Sequence, residues 1–340
     1  MRFPLTVSSM SISHDRAVVL CATLVGVVFG FYALGYEYII GTSEYWRIPY
    51  GDIPTHLAGT YYYYHDEWRF PLFYTANFGF PEGSNIIFSD SIPLLAFFFK
   101  VIFKLTGISF NYYPAFTFIC FPLLAYFASK TFIAYGVRSF VYVIGATVII
   151  LTYPALLRRL AHVGLMAHFF IMAALYCGAV FRNRIISKEF YIAYAGILVS
   201  SFFVQSYFTF MILGIFGAVW LQALFERRSG VVAGLAGLSA VASCLLAFAY
   251  IGGAIGDGQP IVGGYGIWTA NILTFLLPPP EHLPYNIASQ IPWDAYWRDT
   301  WDATGNQSEG YSYYGPGLLL LLLICILKVF GTGRSEMRRI

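Results

Sequence analysis

Charge is scarce in this chain. Asp, Glu, Lys and Arg make up 11% of its 340 residues, where a soluble domain carries roughly 25%. Apolar residues reach 58%, against roughly 45–50% in soluble chains. A soluble enzyme, a disordered regulator and a DNA-binding protein do not fit that balance. The net charge of +3 is too small to recruit a nucleic acid. Paired cysteine chemistry is missing too. Cys21, Cys120, Cys177, Cys244 and Cys325 lie in apolar runs without C-x-x-C or other metal spacing, so they read as small apolar filler. No P-loop, G-x-S-x-G elbow or H-E-x-x-H motif is present. That argues against ATP-driven transport, serine hydrolysis and zinc proteolysis. The first apolar run is too long for a signal peptide, and Gly41-Thr42-Ser43-Glu44 is a poor cleavage site.

What is present is a series of long apolar runs. A membrane crossing needs about 20 apolar residues. The candidates are 17–36, 112–129, 139–157, 163–181, 190–206, 207–225, 231–254 and 315–330. Residues 190–225 are too long for one crossing, and the polar Gln205-Ser206-Tyr207 divides them. The fold class is therefore an all-α polytopic membrane protein of about eight transmembrane helices.

The run 91–108 carries Lys100 and Lys104 one helical turn apart. Charge placement decides whether it crosses. If it does not, and the N-terminus is cytoplasmic, the inside holds 13 of the 20 basic residues and 4 of the 17 acids. Those acids are Asp15, Glu189, Glu226 and Glu336. Each later short loop then obeys the positive-inside rule. Residues 91–108 thus read as an amphipathic helix in the outer interface, with snorkelling lysines. Both termini lie inside. The organisation runs 1–36, tail and first span; 37–111, first outer loop; 112–254, six further spans; 255–314, second outer loop; 315–340, last span and basic tail.

Loops this long are usually functional. Asp52 follows the first span closely, in an otherwise charge-free stretch from Ile48 to Leu57. A partly desolvated carboxylate at that boundary is a candidate general base. The competing reading is a structural cap. Asp66 and Glu67 form a second acidic pair, suited to orienting an acceptor or a divalent cation, or simply exposed. Asp90 reads as the N-cap of the amphipathic helix, with Pro93 at its start. Arg158, Arg159 and His162 sit at the outer end of a span, where arginine pairs bidentately with phosphate. Lipid headgroups or a loop acid would explain them equally. Lys100 and Lys104 are further phosphate contacts, or plain snorkelling. His168 lies deeper and needs a polar partner. His56, Gln205, Tyr207 and Trp268 are candidate pocket residues. In the second loop Glu309 is singled out as an acid that could reach back towards Asp52. The aromatic–acid mix there suits carbohydrate.

The stretches GDIPTHLAGTYYYYHDEWRFPL, FPEGSNIIFSDSIPLLAFFFK, YPALLRRLAHVGLMAHFF and SEGYSYYGPGLLLLL lie in order over about 50–325. The chain resembles the GT-C superfamily of membrane glycosyltransferases, and more closely an uncharacterised bacterial membrane family near it. The resemblance implies a polyprenyl-phosphate-linked sugar as donor, with a glycan, lipid or protein acceptor. It implies an active site at the periplasmic face of the bacterial inner membrane. Asp52 is then the base, Asp66-Glu67 the second acidic motif, and Arg158, Arg159 and His162 the phosphate side. No cofactor is required; Mg or Mn is allowed. The chain stops ten residues after its last apolar run, so a short member and a fragment are both open. The alternatives are a lipid-linked sugar flippase or transporter, and a non-catalytic subunit of an envelope-polysaccharide assembly. A transporter would place ionisable groups near the bilayer midplane, where this chain has almost none.

Overall fold

The computed structural model describes residues 9–49, 52–255, 276 and 315–331. Every apolar run named above that lies within them is helical. The helices are α1 (Ser9–Leu34), α2 (Tyr36–Ile39), α3 (Asp52–His65), α4 (Pro93–Thr106), α5 (Tyr113–Ala134), α6 (Phe140–Leu151), α7 (Pro154–Leu157), α8 (Phe169–Phe181), α9 (Lys188–Phe202), α10 (Ser206–Phe225), α11 (Val231–Gly252) and α12 (Gly315–Gly331). A two-stranded antiparallel ribbon, β1 (Tyr74–Thr75) and β2 (Ser84–Asn85), pairs Tyr74 with Asn85. Among the described residues, Ser13–Leu34, Tyr113–Ala134, Val163–Phe181, Ser206–Phe225 and Val231–Gly252 are long and apolar enough to cross a membrane. The protein is a multi-pass membrane protein on that count. The other three expected spans contain helices of 12, 15 and 17 residues. At 1.5 Å per residue they fall short of a ~30 Å core by themselves.

The chain divides into two compact units, 1–152 with 159–259, and 153–158 with 260–340. In the second unit the described elements are α7 and α12. In the first, α5 packs against both α1 and α8, while α9 packs against α10 and α11. Close approach of α1 to α5 requires Gly26. A Cβ there would stand 2.8 Å from the Phe121 carbonyl and from Pro122 Cα. Gln205 is extended and precedes α10, so the division of 190–225 at its polar centre is observed.

The first loop folds onto one end of this bundle. The Tyr45 hydroxyl donates to the Leu160 carbonyl at 2.9 Å. Leu72 N–H donates to Ile251 O at 2.8 Å, and Leu94 N–H to Phe203 O at 2.9 Å. Asn85 Nδ2 donates to Gly252 O at 2.7 Å. Two inter-helix turns and the end of α11 are thereby tied to one loop. At the other end of the bundle the links are basic. Arg138 faces Asp15 at 3.7 Å, and Arg228 Nη1 donates to the carbonyls of Phe181 and Arg184.

The amphipathic helix is α4, but two details differ from expectation. Its N-cap is Ile92, with a left-handed backbone, and Pro93 follows in the first turn. The Ile92 carbonyl accepts from Leu95 and Ala96, so Asp90 is not the cap. Its buried face is Pro93, Ala96 and Lys100, while Phe98, Val101, Ile102 and Leu105 are exposed. Lys100 therefore points into the protein and does not snorkel; Lys104 is exposed.

Candidate functional site

Helix α3 starts at Asp52, where a carboxylate meets the positive end of the helix dipole. Its buried side chains, Ile53, His56, Thr60, Tyr63 and Tyr64, follow helical spacing along one face. That face fixes α3 against the loop and leaves Asp52 at its open end. Asp52 Oδ2 lies 2.8 Å from His162 Nδ1, with the carboxylate side chain 49% exposed and the imidazole 22%. The two residues are 110 positions apart in sequence and belong to different parts of the reading above, base and phosphate side. The structure brings them into one contact.

His162 precedes the 3-10 turn Val163–Met166, whose Val163, Gly164 and Met166 are buried. The preceding turn, Arg158–Ala161, is held by the Tyr45 hydroxyl on Leu160. Burial, and then the Asp52 carboxylate, push the Tyr45 hydroxyl above its ordinary value. Tyr45 thus stands close to Asp52; its place among the aromatics just before Asp52 was the available signal. Arg159 interacts electrostatically with His168. The His168 ring meets Phe208 edge-on at 5.2 Å, and its Nδ1 is buried without a hydrogen-bond partner. Arg158 begins the 3-10 turn.

Asp66, at the far end of α3, is of another kind. It is 4% exposed. Oδ1 accepts from Glu67 N–H at 2.8 Å and Arg69 Nη2 at 3.1 Å. Oδ2 accepts from Arg69 Nε at 2.9 Å and Ala76 N–H at 2.8 Å. Burial alone would raise its pKa. Arg69 and the two backbone donors outweigh burial and hold it below the usual carboxylate range. A carboxylate has about four lone-pair positions, and these four bonds occupy them. Asp66 braces the loop, and Glu67 is exposed.

Lys100 closes the same region. Its Nζ donates to the Glu67 carbonyl at 3.0 Å and lies 4.0 Å over the Tyr63 ring and 4.7 Å over Trp68. Burial lowers its pKa to about 8, against the pull of Asp66 upward. It is walled off from any headgroup.

His56, one turn after Asp52, is 2% exposed. Its Nδ1 donates to the Ser89 carbonyl at 3.0 Å. A carbonyl only accepts, so Nδ1 carries the proton. Nε2 is buried without a partner. Around it Ser91 Oγ and Tyr113 OH donate to the His56 carbonyl, and Thr60 Oγ1 lies 2.6 Å from Tyr113 OH. Asp90 Oδ1 accepts from Gln205 Nε2 at 3.2 Å, a pairing across 115 residues with no local signal. Tyr207 is 63% exposed and joins none of these contacts. Glu309 and Trp268 lie outside the described residues. Among the described residues no three His, Cys, Asp or Glu side chains stand together as a metal site.

Residues 23–339 match the model of a family described as a domain of unknown function, DUF6311. The chain belongs to the DUF6311 family. No curated protein and no solved structure matches it. The family match spans the first loop, the helices and the last apolar run together, so the Asp52–His162 contact lies within it.

Proposed function

We propose that this chain is a membrane glycosyltransferase that moves a sugar from a polyprenyl-phosphate donor to a hydroxyl acceptor at the periplasmic face of the bacterial inner membrane. The observation that carries this reading is the 2.8 Å contact between Asp52 and His162. It joins a half-exposed carboxylate at a helix start to the turn that bears Arg159. In this reading the chain crosses eight times, both termini are cytoplasmic, and α4 lies in the outer interface with its exposed Phe98, Val101, Ile102 and Leu105 in lipid.

Asp52 takes the proton of the acceptor hydroxyl. The acceptor oxygen attacks the anomeric carbon and forms the new C–O bond. The old bond to phosphate oxygen breaks, and its electron pair leaves with the lipid phosphate. Arg159 and His162 offset the charge that develops there. His162 also fixes the orientation of Asp52. One base and a good leaving group suffice, so the anomeric centre inverts.

The test is transfer in proteoliposomes, with a panel of radiolabelled polyprenyl-phosphate sugars and envelope-derived acceptors. Wild type should transfer from at least one donor, and a folded Asp52→Asn protein should not. Full transfer by Asp52→Asn would remove Asp52 as the base. No transfer from any donor would favour the transporter or scaffold readings.

A further inference from the structure

Residues 89–94 are held unusually hard. The Ser89 carbonyl is fixed by His56, and the Ser91 carbonyl by the Tyr112 hydroxyl. Ser91 Oγ donates to the His56 carbonyl, and Leu94 N–H to Phe203 O. Within this bracket Asp90 and Ile92 both have left-handed backbones, at φ 50° and 47°. Asp tolerates that region; for a β-branched residue it is an outlier. Ile92 is nevertheless fully buried and caps α4 through its carbonyl. Such conformations persist where the surroundings over-determine them, and they cluster at functional sites.

The side chain of Asp90 takes no part in this bracket. Asp90 does not cap α4; its left-handed backbone ends the 3-10 turn Ile86–Ser89. It is part-buried, its side-chain hydrogen bond comes from the neutral Gln205 amide on Oδ1, and it lies within electrostatic reach of the Tyr113 hydroxyl. No cation faces it at ion-pair distance among the described residues. Asp66 shows what this loop does with a purely structural carboxylate: four hydrogen bonds, two of them from a guanidinium. Asp90 also sits between the elements that carry the candidate site. Ser89 is bonded to His56, one turn from Asp52. Gln205 packs against Gly164, two residues after His162; a Cβ on Gly164 would stand 3.4 Å from Gln205 Nε2.

We propose that Asp90 is a substrate-binding carboxylate that accepts hydrogen bonds from hydroxyls of the donor sugar, with Gln205 as its positioning residue. This rests on the glycosyl-transfer reading and adds the group that would recognise the sugar itself. Gln205 orients Oδ1, and Oδ2 presents its lone pairs to the ligand.

The experiment uses the full chain in lipid nanodiscs. The probes are citronellyl phosphate and its glucosyl, galactosyl, mannosyl and arabinosyl conjugates, and affinity is measured for each. Wild type should prefer at least one conjugate over the bare lipid phosphate by about tenfold or more, the worth of one charge-assisted hydrogen bond. Asp90→Asn keeps an acceptor for Gln205 and suits the left-handed backbone. It should retain wild-type affinity for citronellyl phosphate and wild-type Tm, yet lose the preference. Asp90→Gly, equally suited to that backbone, is the second variant if Asn lowers Tm. Gln205→Ala should reduce the preference partially without changing the affinity for the bare phosphate. If either folded Asp90 variant keeps the full preference, the assignment to Asp90 falls and the transfer reading stands. If wild type shows no preference for any sugar, both fall.

Discussion

The two ends of α3 carry carboxylates in opposite circumstances. Asp66 is buried and its four lone-pair positions are filled from Arg69, Ala76 and Glu67. Asp52 is half exposed, and the contact identified for it is one imidazole from a turn 110 residues away. The same side chain closes a loop at one end and, in the proposed reading, serves a site at the other. Solvation and donor count make the difference. A saturated carboxylate contributes to stability and has no capacity left for a ligand, whereas a singly held one is oriented but still able to take a proton.

That contrast predicts which substitutions alter stability and which alter chemistry. Asp66→Ala should cost the most stability, about 1–3 kcal/mol, because it removes a buried acceptor and leaves the part-buried N–H groups of Glu67 and Ala76 and the Arg69 guanidinium without it. A thermal melt in detergent or nanodiscs would show it, and a melt equal to wild type would erase the contrast. At acid pH wild type should move the same way. The Asp66 pKa is depressed in the folded chain, so its stabilisation is complete above the ordinary carboxylate value of 3.8 and is lost as pH falls below it. Gly59→Ala should cost about 1–3 kcal/mol by overpacking. The new Cβ would overlap Ser91 Oγ and stand 2.7 Å from Ser89 Oγ, pushing α3 off the 89–91 segment. His162→Ala should leave the melt near wild type and slow transfer about tenfold, the scale of one charge-assisted hydrogen bond. Unchanged transfer would make the Asp52 contact incidental.

The smallest effect belongs to Lys100. Its folded pKa of about 8 lies below the ordinary 10.5, so the unfolded chain binds more proton between those values. Stability should therefore rise as pH climbs from about 8 to 10.5, and the cost of the buried charge is fully present below 8. Lys100→Met should flatten that slope and leave stability at neutral pH equal or higher by about 1 kcal/mol. Melts across that pH range decide it.

Much of the scaffold was legible in the apolar runs, because burial in lipid writes itself as uninterrupted hydropathy. The division at Gln205 and the start of α4 at Pro93 were legible for local reasons, a polar triplet and a fixed φ. Asp52 and His162 were each singled out by their chemistry and position, but not as partners. Their pairing, like Asp90 with Gln205 or Asn85 with Gly252, depends on chain segments more than 100 residues apart and leaves no periodic trace. Asp90 misled because an Asp three residues before a helical proline looks like a cap, while the cap here is a backbone carbonyl. Lys100 misled because a lysine on an amphipathic helix is assumed to seek water. Tyr63 and Trp68 offer it an aromatic box that sequence spacing does not reveal.

The most direct measurement compares Asp52→Asn and Asp66→Asn side by side for Tm and for transfer rate per folded molecule. The account predicts that Asp52→Asn melts like wild type and loses at least about 100-fold in rate, while Asp66→Asn melts earlier and its folded fraction still transfers sugar. An Asp52→Asn protein that transfers at the wild-type rate would contradict it.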